Sequence, residues 1–272
     1  MSGILGVFPT ARAAAPDPVA LDHMLNALGT RGEGLTATWR GTAAALAVTR
    51  NSWELQDDFS GDALVVRDGG LAIVADASLY YRDDLCAKLV TNDSTPTHLI
   101  LAAYRAWGER CVDHLEGDYA FILWDAEAGR VFCARDFAGS RPLFYGAIGG
   151  TTLIVGSTLG ALHAYPAAPS GFNDAFLAET AASLWLPADD TAYRGLWALP
   201  AGCSLSWTRV SGPVVSRHWN PPAIDSRVAP SAQEAAAELR YRLRRAVRER
   251  LGAHATTVWM SGGSTTSSFL RR

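Results

Sequence analysis

The chain has 272 residues, 49% of them apolar and 19% charged, with 24 basic against 27 acidic side chains. That composition excludes a disordered chain and allows a large core, in one domain or two. A net charge of −3 leaves no strong field of one sign to recruit nucleic acid or an anionic membrane, and no run approaches the roughly 20 apolar residues needed to span a bilayer.

The predicted elements begin with an apolar strand at Ile4–Phe8, directly after Met1-Ser2-Gly3. Helical spacing of Val19, Leu21, Met24, Leu25 and Leu28 follows, with Asp17-Pro18 as cap and first turn and Gly29 as the stop. Strands are expected at Ala43–Arg50, Leu64–Asp68 and, behind Gly69-Gly70, Leu71–Val74. A second helix spans Pro96–Trp107, opened by Thr95-Pro96 and closed by Gly108. Tyr119–Trp124 and Val131–Arg135 read as a hairpin. Strands continue at Leu143–Tyr145 and Thr152–Val155, a third helix is expected within Phe172–Leu184, and Leu199–Gly202 turns into another strand. The paired acids Asp57-Asp58 and Asp83-Asp84 are expected in loops.

Composition shifts at Asn220–Pro230, a proline-containing linker. Beyond it Ser231-x-x-Glu234 forms a capping box before a helix with an apolar stripe of Leu239, Leu243, Val247 and Leu251 and an arginine-rich remainder. Ala255–Met260 reads as a short buried strand running into Ser261-Gly262-Gly263. A strand-rich unit at residues 1–222 and a helix–strand–glycine-loop unit at 223–272 are two architectures in one chain. Four cysteines, Cys86, Cys111, Cys133 and Cys203, match neither a zinc site nor a disulfide framework, and a cytoplasmic protein is expected. The six histidines form no i,i+4 pair, so no metal site is expected. Ser157 and Ser211 lack the surroundings of a nucleophile.

The block Gly117-Asp118-Tyr119-Ala120-Phe121-Ile122-Leu123-Trp124-Asp125, with Ala134-Arg135-Asp136 and Gly139-Ser140-Arg141-Pro142-Leu143-Phe144-Tyr145 behind it, resembles a block of the asparagine synthetase family. Other pieces agree in order. Ser2–Phe8 resembles the family's opening C-G-I-x-G, Leu28–Gly32 its H-R-G-P-D, Leu79–Leu85 its I-Y-N-x-x-x-L, Trp197–Gly202 its L-P-P-G turn and Trp259–Gly263 its L-S-G-G loop. The resemblance implies an α+β fold: an αββα sandwich of the N-terminal-nucleophile hydrolase type, a class II glutamine amidotransferase, at residues 1–222. A fragment of an α/β ATP-pyrophosphatase-like domain follows at 223–272, expected to be truncated.

The resemblance also implies a site and its losses. The family's nucleophilic cysteine, activated by its own α-amine, falls at Ser2. Its Asn-Gly oxyanion pair falls at Asp76-Ala77, which puts a carboxylate where a negative charge would develop. Its pocket acid falls at Pro96, while Arg31 remains to clamp a glutamine carboxylate. Glutaminase activity is therefore expected to be absent. Ser261, Gly262 and Gly263 would offer backbone N–H groups to a phosphate, but Thr265 replaces the family's aspartate. ATP and Mg²⁺ are implied by the family and not expected to bind this chain alone. The implied activity is ATP-dependent amide formation by carboxylate adenylation and amine attack, nearest in character to lasso-peptide cyclases and β-lactam synthetases. The alternatives are a non-catalytic interaction module, a truncated inactive product, or an active glutamine-hydrolysing asparagine synthase homologue. The expected partner is a separately encoded synthetase half or a second copy, with neither nucleic acid nor membrane.

Overall fold

The computed structural model describes residues 2–10, 15–32, 34–55, 64–184, 189–223 and 230–251. The chain divides into two units, residues 1–223 and 224–272. In the first unit, two six-stranded antiparallel sheets carry the chain. The first sheet contains β1 (Gly3–Pro9), β2 (Leu35–Arg40), β3 (Ala45–Arg50), β8 (Phe144–Ile148), β9 (Thr152–Gly156) and β10 (Trp197–Ala198), in the order β10-β8-β9-β1-β3-β2. The second contains β4 (Val66–Asp68), β5 (Leu71–Leu79), β6 (Gly117–Asp125), β7 (Arg130–Arg135), β11 (Cys203–Thr208) and β12 (Gly212–Arg217), in the order β12-β11-β7-β6-β5-β4.

Strand alternation separates three apolar layers, because successive side chains point to opposite faces. Ile4 and Phe8 of β1, Leu46 and Val48 of β3, Ala72 and Val74 of β5, and Ile122 and Trp124 of β6 meet between the sheets. Leu5 and Val7, on the other face of β1, pack with Leu21, Met24 and Leu28 of α1 (Pro18–Leu28) and with Ala161 and Leu162 of α4 (Leu159–His163). Ile73 and Ala75 of β5 and Phe121 and Leu123 of β6 pack with Leu85 of α2 (Arg82–Leu89) and with Leu99, Ile100 and Ala103 of α3 (Pro96–Trp107). The layers therefore run helix, sheet, sheet, helix, as the resemblance implies.

Most predicted elements form within a residue or two of their expected ends. Asp17 accepts a hydrogen bond from Val19 N at 2.9 Å and caps α1, and α3 forms with the expected ends. The third predicted helix is shorter, α5 at Asp174–Ala181. Four elements were not foreseen: β2, α2, α4 and β12. Asp83 and Asp84 sit in the first turn of α2 rather than in a loop, where carboxylates favour the positive end of the helix dipole. Asp57 and Asp58 lie outside the described residues.

The second unit is described through α6 (Ala232–Glu249). Its capping box forms as expected: Ser231 Oγ accepts from Glu234 N at 3.3 Å, and Glu234 Oε2 accepts from Ser231 N at 2.9 Å. Ala255–Met260, Ser261, Gly262, Gly263 and Thr265 lie outside the described residues.

Candidate active site

At one end of the layer between the sheets, apolar alternation gives way to polar side chains. On β5 the inter-sheet positions run Ala72, Val74, then Asp76. On β3 they run Leu46, Val48, then Arg50, and β1 is preceded at the same parity by Ser2. Ser2, Arg50 and Asp76 are all buried. A charge so placed must be paired, hydrogen-bonded or neutralised.

The structure brings Ser2, Arg31 and Asp76 together and adds a fourth member. Arg31 ends the short 3₁₀ turn Gly29–Arg31 after α1. Its Nη1 lies 3.4 Å from the Ser2 carbonyl oxygen and 3.6 Å from Asp76 Oδ2. From the opposite side, Arg141 Nη1 lies 3.6 Å from Asp76 Oδ1, while its Nη2 donates to Ser78 Oγ at 3.1 Å. One carboxylate thus stands between two guanidinium groups. Arg141 was visible in the sequence only as part of a motif. The signal that could have found it is Asp76 itself, a buried carboxylate that needs more than one counter-charge.

The loop that carries Arg141 is fixed by the fully buried Asp136. Its Oδ1 accepts from Ala138 N and Ser140 N, both at 3.0 Å, and its Oδ2 from Tyr119 N and Arg141 N, both at 3.2 Å. Arg135 closes the loop from below, donating to the carbonyls of Gly139, Arg141 and Leu199 at 2.6–2.8 Å. Motif residues that read as a core hairpin therefore also position a guanidinium at the site.

Burial raises the Asp76 pKa above the ordinary carboxylate range, and the nearby charge of Glu54 adds to this. Arg141 and Arg31 pull the other way without reversing it. Arg50 reaches past the sheet to donate to Ala75 O at 3.0 Å and Thr97 Oγ1 at 3.4 Å. Pro96, at the position of the expected pocket acid, is buried at the start of α3 and brings no ionisable group. The Ala77 side chain points away from Ser2, into the layer beneath α2 and α3. Ser157 acts as a strand anchor. Its Oγ accepts from Ile4 N at 3.0 Å, tying β1 down two residues from Ser2.

Hydrolysis by this site would need a reachable nucleophile, a base and donors aimed at the developing oxyanion. Ser2 is fully buried, and its Oγ has no hydrogen-bond partner among the described residues. An ionised Asp76 is an acceptor only. In that ionised form its charge engages the two guanidinium groups that could hold a substrate carboxylate. Among the described residues, no group of three His, Cys, Asp or Glu side chains is placed to hold a metal ion.

Comparison with known proteins places this geometry. Residues 1–219 match the family described as the glutamine amidotransferase domain. The chain belongs to that family. The domain is similar to asparagine synthetase [glutamine-hydrolyzing] 3 of Bacillus subtilis (strain 168), 27% identical over 172 residues, covering 61% of this chain and 28% of that protein. It is also similar to the amidase chyE of Penicillium rubens, 27% identical over 192 residues, covering 70% of this chain and 28% of that protein. The chain therefore spans about 28% of the length of these relatives. Among solved structures, the glutamine phosphoribosylpyrophosphate amidotransferase of B. subtilis aligns at a TM-score of 0.54 and 16% identity, over 80% of this chain and 49% of that one. That likeness bears out the αββα fold of the N-terminal-nucleophile type. The family resemblance read from the motifs holds for this amidotransferase domain of the asparagine synthetase type.

Proposed function

We propose that this amidotransferase domain does not hydrolyse glutamine and serves as the structural N-terminal part of an asparagine synthetase-like, amide-forming protein. In this reading the amine comes from a substrate rather than from glutamine, as in lasso-peptide cyclases and β-lactam synthetases. The observation that carries it is the Asp76 carboxylate, set between Arg31 and Arg141 beside a buried Ser2. Negative charge at that point opposes the charge that amide hydrolysis develops. Losing one oxyanion donor costs on the order of 10²–10³ in rate, and an acceptor in its place costs more.

ATP and Mg²⁺ would activate the carboxylate to be joined. The candidate loop Ser261, Gly262 and Gly263 lies outside the described residues. The synthetase function would come from residues outside this domain, whether a separately encoded half or a second copy. A cytoplasmic setting belongs to the same reading. Among the described residues no helix is long and apolar enough to cross a membrane.

Incubating the purified chain with glutamine and following glutamate release tests the proposal. No release above the buffer rate is expected. Turnover that disappears in Ser2→Ala would overturn it.

A further inference from the structure

The end of the first unit opposite Ser2 holds a cleft that the amidotransferase chemistry does not use. Four hairpin turns converge there: Gly41–Ala44 between β2 and β3, Gly69-Gly70 between β4 and β5, Ala126–Gly129 between β6 and β7, and Arg209–Ser211 between β11 and β12. Gly69 and Gly129, with φ of +59° and +60°, let two of these turns reverse tightly without side chains crowding the opening. The cleft encloses about 440 Å³, within the roughly 300–1,000 Å³ range of small-molecule sites. It lies about 15 Å along β5 from Asp76, counting about 3.3 Å per residue from Leu71 and Ala72.

Its chemistry is specific. Ala72 and Trp124, both members of the inter-sheet core, give an apolar floor. The half-buried indole of Trp39 forms a wall and rests against Gly41, where an added Cβ would come within 2.7 Å of the ring. Arg67 and Arg209 also line the cleft. Among the described residues neither side chain has a hydrogen-bonding or ion-pair partner, and the Nε of Arg209 is buried without one. The neighbouring acid does not neutralise them, because Asp68 is held by Arg105 of α3, which pairs with its carboxylate and donates to its carbonyl oxygen at 3.1 Å. Among the described residues, the opening therefore combines two arginine side chains held in no ion pair with tryptophan surface.

We propose that this cleft binds a small organic anion, a carboxylate or phosphate head on a flat apolar ring. Arg67 and Arg209 take the head, and Trp39 and Trp124 take the ring. Guanidinium groups suit both kinds of head through paired N–H donors. The site is independent of the glutaminase reading, since none of its residues touches Ser2 or Asp76.

Calorimetric titration of the full chain with phenyl phosphate, 3-phenylpropionate, inorganic phosphate and 3-phenyl-1-propanol tests the proposal. At least one of the two aromatic anions should bind with a Kd of about 1 mM or tighter. The better of the two identifies the head. Inorganic phosphate, which lacks the ring, and the alcohol, which lacks the charge, should each bind about tenfold more weakly or worse. Arg67→Ala combined with Arg209→Ala should weaken the better anion at least about tenfold while leaving the melting temperature in place. The proposal falls if neither aromatic anion saturates the protein, if phosphate or the alcohol binds as well, or if the double variant binds as tightly as the parent.

Discussion

Asp136→Asn is the most informative single change in the domain. The carboxylate accepts four backbone N–H groups, two on each oxygen. An asparagine offers one acceptor oxygen and one NH₂ donor. Whichever way the amide is turned, two backbone donors face another donor and lose their partner. Hydrogen bonds to a charged group contribute about 1.5–3 kcal/mol each, so the loss comes to about 3–6 kcal/mol. Total stabilities are only about 5–15 kcal/mol. For a domain of this size the melting temperature should fall by roughly 10–20 °C. Asp118→Asn is the matched control. Its partners are the hydroxyls of Tyr80 at 2.7 Å and Ser140 at 3.2 Å, which can rotate to accept from an amide. That variant should stay within about 1 kcal/mol of the parent. Urea titration followed by circular dichroism measures both. The reasoning is refuted if Asp136→Asn lies within about 1 kcal/mol of the parent, or if Asp118→Asn costs as much as Asp136→Asn.

Asp76→Asn tests whether burial outweighs the arginine pairs. With a folded pKa above its unfolded value, the Asp76 contribution to stability is full below about pH 4 and is lost as pH rises through the folded value. At pH 8 the asparagine variant should be at least as stable as the parent, and its advantage should vanish near pH 4; a lower melting temperature at pH 8 would mean the ion pairs dominate. Ser2→Cys alone should not produce glutamate from glutamine, because Asp76 remains where the oxyanion would form. Turnover in that variant would show the site to be limited by its nucleophile instead. A fragment ending at Asn220 should unfold in one cooperative transition, since the three apolar layers lie within residues 1–223. An insoluble fragment beside a stable full chain would place the boundary elsewhere.

The parts legible in the sequence were those where one physical signal dominated. Pro96–Trp107 has a proline at its first position, a glycine stop and an apolar stripe, and it forms with those ends. The hairpin of β6 and β7 announces itself by two apolar runs around a turn. β2 was missed because it is an edge strand whose side chains are mostly exposed, so alternation is weak. α2 was missed because it buries only Leu85 and is entered through Tyr81 at φ +53°, with no side-chain cap. At the site, the positions of Ser2, Arg31 and Asp76 followed from motif order. The contribution of Arg141 did not, because it arrives on a loop 65 residues beyond Asp76 whose course is set by Asp136 and Arg135.

The place of β1 in its sheet has a consequence for synthesis. β1 is the first strand of this domain to leave the ribosome, yet it lies in the interior of the sheet, between β3 and β9, with Leu5 opposite Gly156. At about 5–20 residues per second, its second neighbour emerges roughly 7–30 s after β1 itself. Throughout that interval Ile4, Leu5, Val7 and Phe8, all buried in the finished domain, belong to a segment with an unfilled edge. The nascent chain must therefore wait, shielded or held by the β1–β3 pair alone, until more than half of the domain has been made.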